Sequence, residues 1–276
     1  MCSAHKLVDT GPLCLLMAWL VGLAAAGCAN RPVNPSFAIS ENDARAAIKQ
    51  IEEDARPLDR PVVVLAGWAD PGFMNSFWVD QLRCAGVPRE KVVGLKFTFK
   101  GGFDACRRHV IDAVQQAWPS HDAVQTVEVD VVAFSMGGLV ARYSAMPSST
   151  APEGRKLNIR NLYTISTPHR GAAMAAVPTW DRRVIDMRSG SAFLASLDAA
   201  APEAGYALVP YTRLDDPIID STQTAPPGVT PWWVDCPPLH RSHQEAYRDP
   251  RIRADILRRL RGEKPLTQEP AADFPE

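Results

Sequence analysis

Six short apolar runs, separated by stretches of helical periodicity, constrain this chain more than any other feature. VVVLA at 62–66 is the sharpest of them. A run with no polar alternation has no side to give to water, so it reads as a strand buried on both faces. Further strand-like runs stand at 92–97 (VVGLKF), 127–134 (VEVDVVAF), 159–166 (IRNLYTIS), about 206–213 (YALVPYTR) and about 232–235 (WWVD). Between them, Phe103, Cys106, Val110, Val114 and Ala117 recur at three- and four-residue spacing, which gives one apolar helical face. Ser40-Glu-Asn-Asp43 is similar to a capping box with Asp in place of Glu, opening a helix over 44–55. Asp249-Pro250 opens the last helix, whose buried stripe is Ile252, Ile256, Leu257 and Leu260. Alternation of this kind predicts βαβ units and one α/β domain with a mostly parallel sheet over 61–262.

Composition sets the outer limits. The 276 residues are 46% hydrophobic and 22% charged, a globular balance. Thirty Lys+Arg against 31 Asp+Glu leave a net charge of −1. There is no basic surplus to meet phosphates, which argues against a nucleic-acid partner. No Gly-x-Gly-x-x-Gly follows a strand, which argues against dinucleotide binding.

The N-terminus is a separate object. LCLLMAWLVGLAAA at 13–26 is an unbroken apolar run. It is short for a bilayer span, which needs about 20 residues, and fits a signal-peptide core. The run ends in Ala-Ala-Gly-Cys, which resembles the bacterial lipobox, with Ala25 where Leu is more usual. The resemblance implies cleavage before Cys28, acylation of that cysteine, and anchoring to a bacterial membrane, the outer one in a Gram-negative cell. An ordinary secretory signal or an uncleaved anchor are the alternatives. The expected divisions are a lipoprotein-type signal over 1–27, a tether and N-terminal helix over 28–60, the main domain over 61–262, and a flexible tail over 263–276. Of the cysteines that would remain beside Cys28, Cys84, Cys106 and Cys236, either one pair is bridged (Cys84–Cys106 the candidate) or all three are thiols.

The chemistry sits at strand ends. In VEVDVVAFSMGGLVARY, 127–143, a buried strand runs straight into Ser135 and then into a helix. Small residues surround the serine, with Ala133 two before it and Gly137 and Gly138 after it. This resembles the nucleophile elbow of α/β-hydrolases, G-x-S-x-G, with Ala for the first Gly. Two further patches resemble bacterial lipases of that superfamily: LYTISTPHRG at 162–171 and DMRSGSAFLASL at 186–197. The first implies a structural, pocket-side His169. The second implies a modest lid within about 170–205.

The resemblance implies a triad in the chain order Ser, acid, His. Ser135 is then the nucleophile. In YTRLDDPII, 211–219, Asp216 aligns with the acid, and Asp215 is the alternative. Only His240 and His243 lie late enough to be the base. His243 has the lipase-like spacing to Asp249-Pro250, and His240 is the alternative. The oxyanion donors it implies are the amides of Met136 and of Trp68, in a loop where Ala66 replaces the family's histidine. His109 and His121, which precede the serine, are expected to face solvent. Trp68, Phe73, Met74 and Phe77 could line an acyl pocket, with Phe77 and Trp78 alternatively core.

The implied activity is hydrolysis of carboxylic esters, as an esterase or lipase on a small ester or lipid, with no cofactor and no metal. Acyl transfer or thioester or amide cleavage on the same triad is the alternative. So is a non-catalytic envelope lipoprotein with a hydrolase-like binding domain.

Overall fold

The computed structural model describes residues 31–98, 101–146, 154–237 and 239–275. The apolar run 13–26 and Cys28 lie outside the described residues. Six strands form one sheet: β1 (Val62–Leu65), β2 (Val92–Leu95), β3 (Gln125–Phe134), β4 (Lys156–Ile165), β5 (Ala207–Arg213) and β6 (Trp232–Val234). Their order is β2-β1-β3-β4-β5-β6, and every pairing is parallel. The helices are α1 (Glu41–Glu53), α2 (Phe73–Cys84), α3 (Phe103–Ala117), α4 (Met136–Ser144), α5 (Arg182–Asp186), α6 (Ala192–Ala200), α7 (Ser242–Glu245) and α8 (Pro250–Leu260). No helix among the described residues is long and apolar enough to cross a membrane.

The strands feed two cores. In β1, Val63 and Leu65 enter one, with Phe103, Val110 and Val114 of α3, Met136, Leu139 and Val140 of α4, and Leu194 and Leu197 of α6. Val62 and Val64 enter the other, with Ile48 of α1, Trp78 and Leu82 of α2, and Ile252 and Ile256 of α8. The period of two delivers alternate side chains to opposite faces, which is why β1 has no polar residue. Between β1 and β3 the strand order reverses. Ligands of open α/β sheets bind at the carboxyl ends of strands beside such a switch point.

Several expectations change in detail. Helix α1 starts at Glu41, three residues early, with Ser40 accepting the Asp43 amide at 3.1 Å. Asp43 is one methylene shorter than Glu, and its carboxylate takes the Ser40 hydroxyl at 2.7 Å. The α3 stripe ends at Val114, because Ala117 is exposed. Cys84, Cys106 and Cys236 are all thiols: Cys84 is exposed on α2 and Cys106 buried under α3, so the candidate bridge does not form.

Neither end is loose where it is described. Asn34 donates from Nδ2 to the Trp233 carbonyl at 2.8 Å, and Phe37 is buried against Tyr211. In the expected tail, the Thr267 amide donates to Asp255 Oδ1 at 3.2 Å and the Ala272 amide to Ser36 Oγ at 2.6 Å. Both segments are held by apolar packing and by polar bonds, and the polar bonds leave no trace in hydrophobic periodicity.

Candidate active site

The elbow is a backbone feature first. Ser135 follows β3 directly, at φ 52 and ψ −127, and caps the start of α4. Positive φ is rare for a residue with a Cβ and stays only where its surroundings impose it. Those surroundings are named atoms. The Ser135 amide donates to the Ile165 carbonyl at 2.9 Å. The Thr167 hydroxyl donates to the Ser135 carbonyl at 2.9 Å. A Cβ on Gly137 would lie 2.5 Å from the Leu65 carbonyl oxygen, and one on Gly138 2.2 Å from Thr167 Oγ1. Both glycines let α4 press against the ends of β1 and β4. The first amides of a helix have no partner within it, so the Met136 amide, next to Ser135, is available to an anion.

Three of the expected residues meet there. His243 Nε2 is 3.1 Å from Ser135 Oγ, and His243 Nδ1 is 2.8 Å from Asp216 Oδ2. A carboxylate only accepts, so Nδ1 carries the proton and Nε2 is left to receive the serine's. Asp216 Oδ1 accepts the amides of Ile218 and Ile219 at 2.9 and 3.1 Å. One oxygen is thus committed to the loop and the other to the histidine. Ser242 Oγ donates to the Leu214 carbonyl at 2.7 Å and ties α7, which carries His243, to the loop holding the acid. The Phe134 ring lies 5.0 Å from the imidazole, centroid to centroid. Ser135, Asp216 and His243 are all buried.

The alternatives lie elsewhere. Asp215 is exposed in a left-handed conformation, φ 57. His240 is exposed and pairs with Glu245 Oε2 at 2.8 Å.

Comparison with known proteins bears on the fold. A domain of unknown function (DUF7379) matches residues 108–212. No curated protein matches the sequence. A mature lipase from Bacillus licheniformis superposes with a TM-score of 0.50 at 13% identity, covering 78% of this chain and 94% of that one. The chain has an α/β-hydrolase fold. A phospholipase from Legionella pneumophila gives 0.41 at 13% identity, covering 56% of this chain and only 40% of that one. Esterase B from Lactobacillus rhamnosis gives 0.33 at 12% identity, covering 74% and 75%.

In this α/β-hydrolase fold a cleft of about 660 Å³ opens over Ser135 and His243. Its walls include Trp68, Phe73, Met174, Val177, Ile218 and Tyr247, with Asp70 and no Lys or Arg among the described residues that border it. Met74 does not line it: that side chain is fully buried in the core beneath α2. Phe77 packs on Tyr247, with ring centroids 5.6 Å apart, and Trp78 is core. The loop after β1 crosses close to the serine, since a Cβ on Gly67 would lie 3.1 Å from Ser135 Cβ. Trp68 is the next residue. Asp70 holds the far half of that loop, accepting the amides of Gly72 and Phe73 at 2.9 Å each and of Met74 at 3.2 Å.

His169 lies behind the pocket rather than on it. It is fully buried, with Arg142 donating to Nδ1 at 3.2 Å and Nε2 at 3.1 Å from Thr164 Oγ1. Burial first, and then the Arg142 charge, hold it neutral well below the ordinary histidine range. His109 also departs from expectation, packing edge-on against Phe97. His121 is exposed. In the segment expected beside a lid, 186–197, Met187, Leu194 and Leu197 are buried, and of these Met187 also borders the cleft; the rest of the 170–205 stretch that lines the cleft lies within 172–184.

Proposed function

We propose that this protein is a serine hydrolase that cleaves carboxylic esters with an apolar acyl part. The observation that carries the reading is the chain of contacts Asp216–His243–Ser135 at the floor of an apolar cleft. His243 Nε2 takes the Ser135 proton as Oγ attacks the ester carbonyl. Asp216 keeps the imidazole in the required tautomer and stabilises its charged form. The amides of Met136 and Trp68 receive the oxyanion, with the α4 dipole behind the first. The leaving alcohol takes the proton from His243. Water, activated by the same nitrogen, then releases the acid. A cleft walled mostly by apolar side chains suits apolar acyl chains.

Hydrolysis of p-nitrophenyl butyrate and octanoate, beside Ser135→Ala, tests this. A loss on the order of 10³-fold or more in the variant is expected. A folded parent no faster than its variant overturns the reading. On the same proposal the protein sits at a bacterial membrane through acylated Cys28, supported by the apolar run and Ala-Ala-Gly-Cys. Mass spectrometry of the N-terminal peptide from cell envelopes tests it.

A further inference from the structure

One carboxylate joins three separate segments at the mouth of the cleft. The Trp68 indole N–H, in the loop after β1, donates to Asp181 Oδ2 at 2.8 Å. Arg183 grips the same carboxylate, Nε to Oδ1 at 3.0 Å and Nη2 to Oδ2 at 2.7 Å. Its Nη1 donates to the carbonyl of Phe97, in the loop after β2, at 2.7 Å. Asp181 lies between Thr179 and Val184, which line the cleft, and caps α5 through the Arg183 amide.

The loop after β1 needs this fastening. Asp70 holds its far half, and the Thr98 hydroxyl donates to the Asp70 carbonyl at 3.1 Å. The near half passes Ser135 and places Ala69 at φ 56. Within 67–69, the side-chain hydrogen bond among the described residues is that of Trp68. The residue is 40% exposed, so packing holds it on part of its surface only. The hydrogen bonds from Arg183 hold the Asp181 carboxyl at about 2, so the partner stays ionised.

We propose that Asp181 is a positioning residue: through the Trp68 indole it locks the oxyanion loop to the acyl-side wall of the cleft. The proposal rests on the serine-hydrolase reading of Ser135. Its consequence is that wall and oxyanion donor move as one body. An acyl chain that seats well against Val177 and Met174 thereby steadies the amide that receives the developing charge. Small displacements of such a donor are costly, because its worth depends on distance to the oxyanion and not to the ground-state carbonyl.

The test is a double-mutant cycle in the full chain with p-nitrophenyl butyrate: Trp68→Phe, Asp181→Ala, and the two combined. Each single variant is expected to lower kcat about tenfold with KM changed by no more than about twofold, and the double variant no further. Losses that multiply in the double variant, that fall on KM alone, or that are absent overturn the proposal.

A second readout needs no activity. Trypsin should cut after Arg182 or Arg183 faster in Trp68→Phe, which leaves the α5 cap and the Arg183 pair in place, than in the parent, and equal rates overturn the latch. If the parent neither hydrolyses esters nor takes a fluorophosphonate on Ser135, the hydrolase reading fails separately. Trypsin then decides the latch alone.

Discussion

The Thr167 hydroxyl donates to the carbonyl oxygen of Ser135 at 2.9 Å, both residues buried, and so ties the end of β4 to the residue at the elbow. The bond fixes the carbonyl of a residue held at positive φ. Thr167→Val keeps the shape and removes the donor. The carbonyl keeps the Gly138 amide at 3.1 Å, so the loss is that of one hydrogen bond, about 0.5–1.5 kcal/mol. We expect a loss of stability in that range by urea unfolding. We also expect a fall in kcat larger than any change in KM, because the relaxed elbow moves Oγ away from His243 Nε2. Unchanged kcat would show that the elbow is held by the rest of the turn.

Gly137 and Gly138 separate two kinds of crowding. A Cβ on Gly137 meets the backbone carbonyls of Leu65 and Ala66 at 2.5 and 2.6 Å, and a strand end cannot step aside. A Cβ on Gly138 meets the Thr167 side chain, which could turn away only by giving up its bond to Ser135. Gly137→Ala should therefore be destabilised by about 3 kcal/mol or more, despite the roughly 1 kcal/mol that Ala gains in a helix. Gly138→Ala should lose less stability and behave in kinetics like Thr167→Val. Thermal unfolding and esterase assays on both variants check the order.

How much of this was legible in the sequence depends on the kind of signal. The strands were, because Val62–Leu65 and Val131–Phe134 are buried on both faces and show it as unbroken apolar runs. The meeting of Ser135, Asp216 and His243 was expected only through resemblance, since no periodicity links residues 108 positions apart. The amides of Ile218 and Ile219 on Asp216, and the fastening of Trp68 by Asp181, left no trace. They are single polar bonds between loops, and any Asp could have made them. Met74 shows the reverse failure. It follows Phe73 in sequence, but one helical step of about 100° turns it from the cleft into the core.

His169 should give the protein a specific weakness in mild acid. It is fully buried between Arg142 and Thr164, and its folded-state pKa lies well below 6.5. Above pH 6.5 the residue is neutral folded and unfolded, so it adds no pH dependence. Below 6.5 the unfolded chain takes the proton and the folded one refuses it. Stability then falls by about 1.4 kcal/mol per pH unit until the folded-state pKa is reached. In His169→Gln, whose amide can bond both neighbours, this loss is absent. Between pH 7.5 and 5.0 the parent should lose more stability than the variant in urea unfolding. Parallel pH profiles would mean that His169 titrates normally.

Asp255 should control the C-terminal segment without touching the site. It is fully buried on α8 and accepts from Tyr211 Oη at 2.6 Å and from Arg259 Nε at 2.8 Å. It also accepts the amides of Leu266 and Thr267. Asp255→Asn removes the charge and turns one acceptor into a donor facing donors. Breaking a buried, paired carboxylate costs about 3–5 kcal/mol, and the Leu266 and Thr267 amides lose their partner at the same time. Amide hydrogen exchange should therefore rise first in peptides covering 264–275, while peptides from α4 stay slow. Fluorophosphonate labelling of Ser135 should hold its parental rate at temperatures where the variant remains folded. Exchange that rises together in 264–275 and in α4 would instead make the C-terminal segment part of the global unfolding unit, and residues 264–275 would then be a working part of the core.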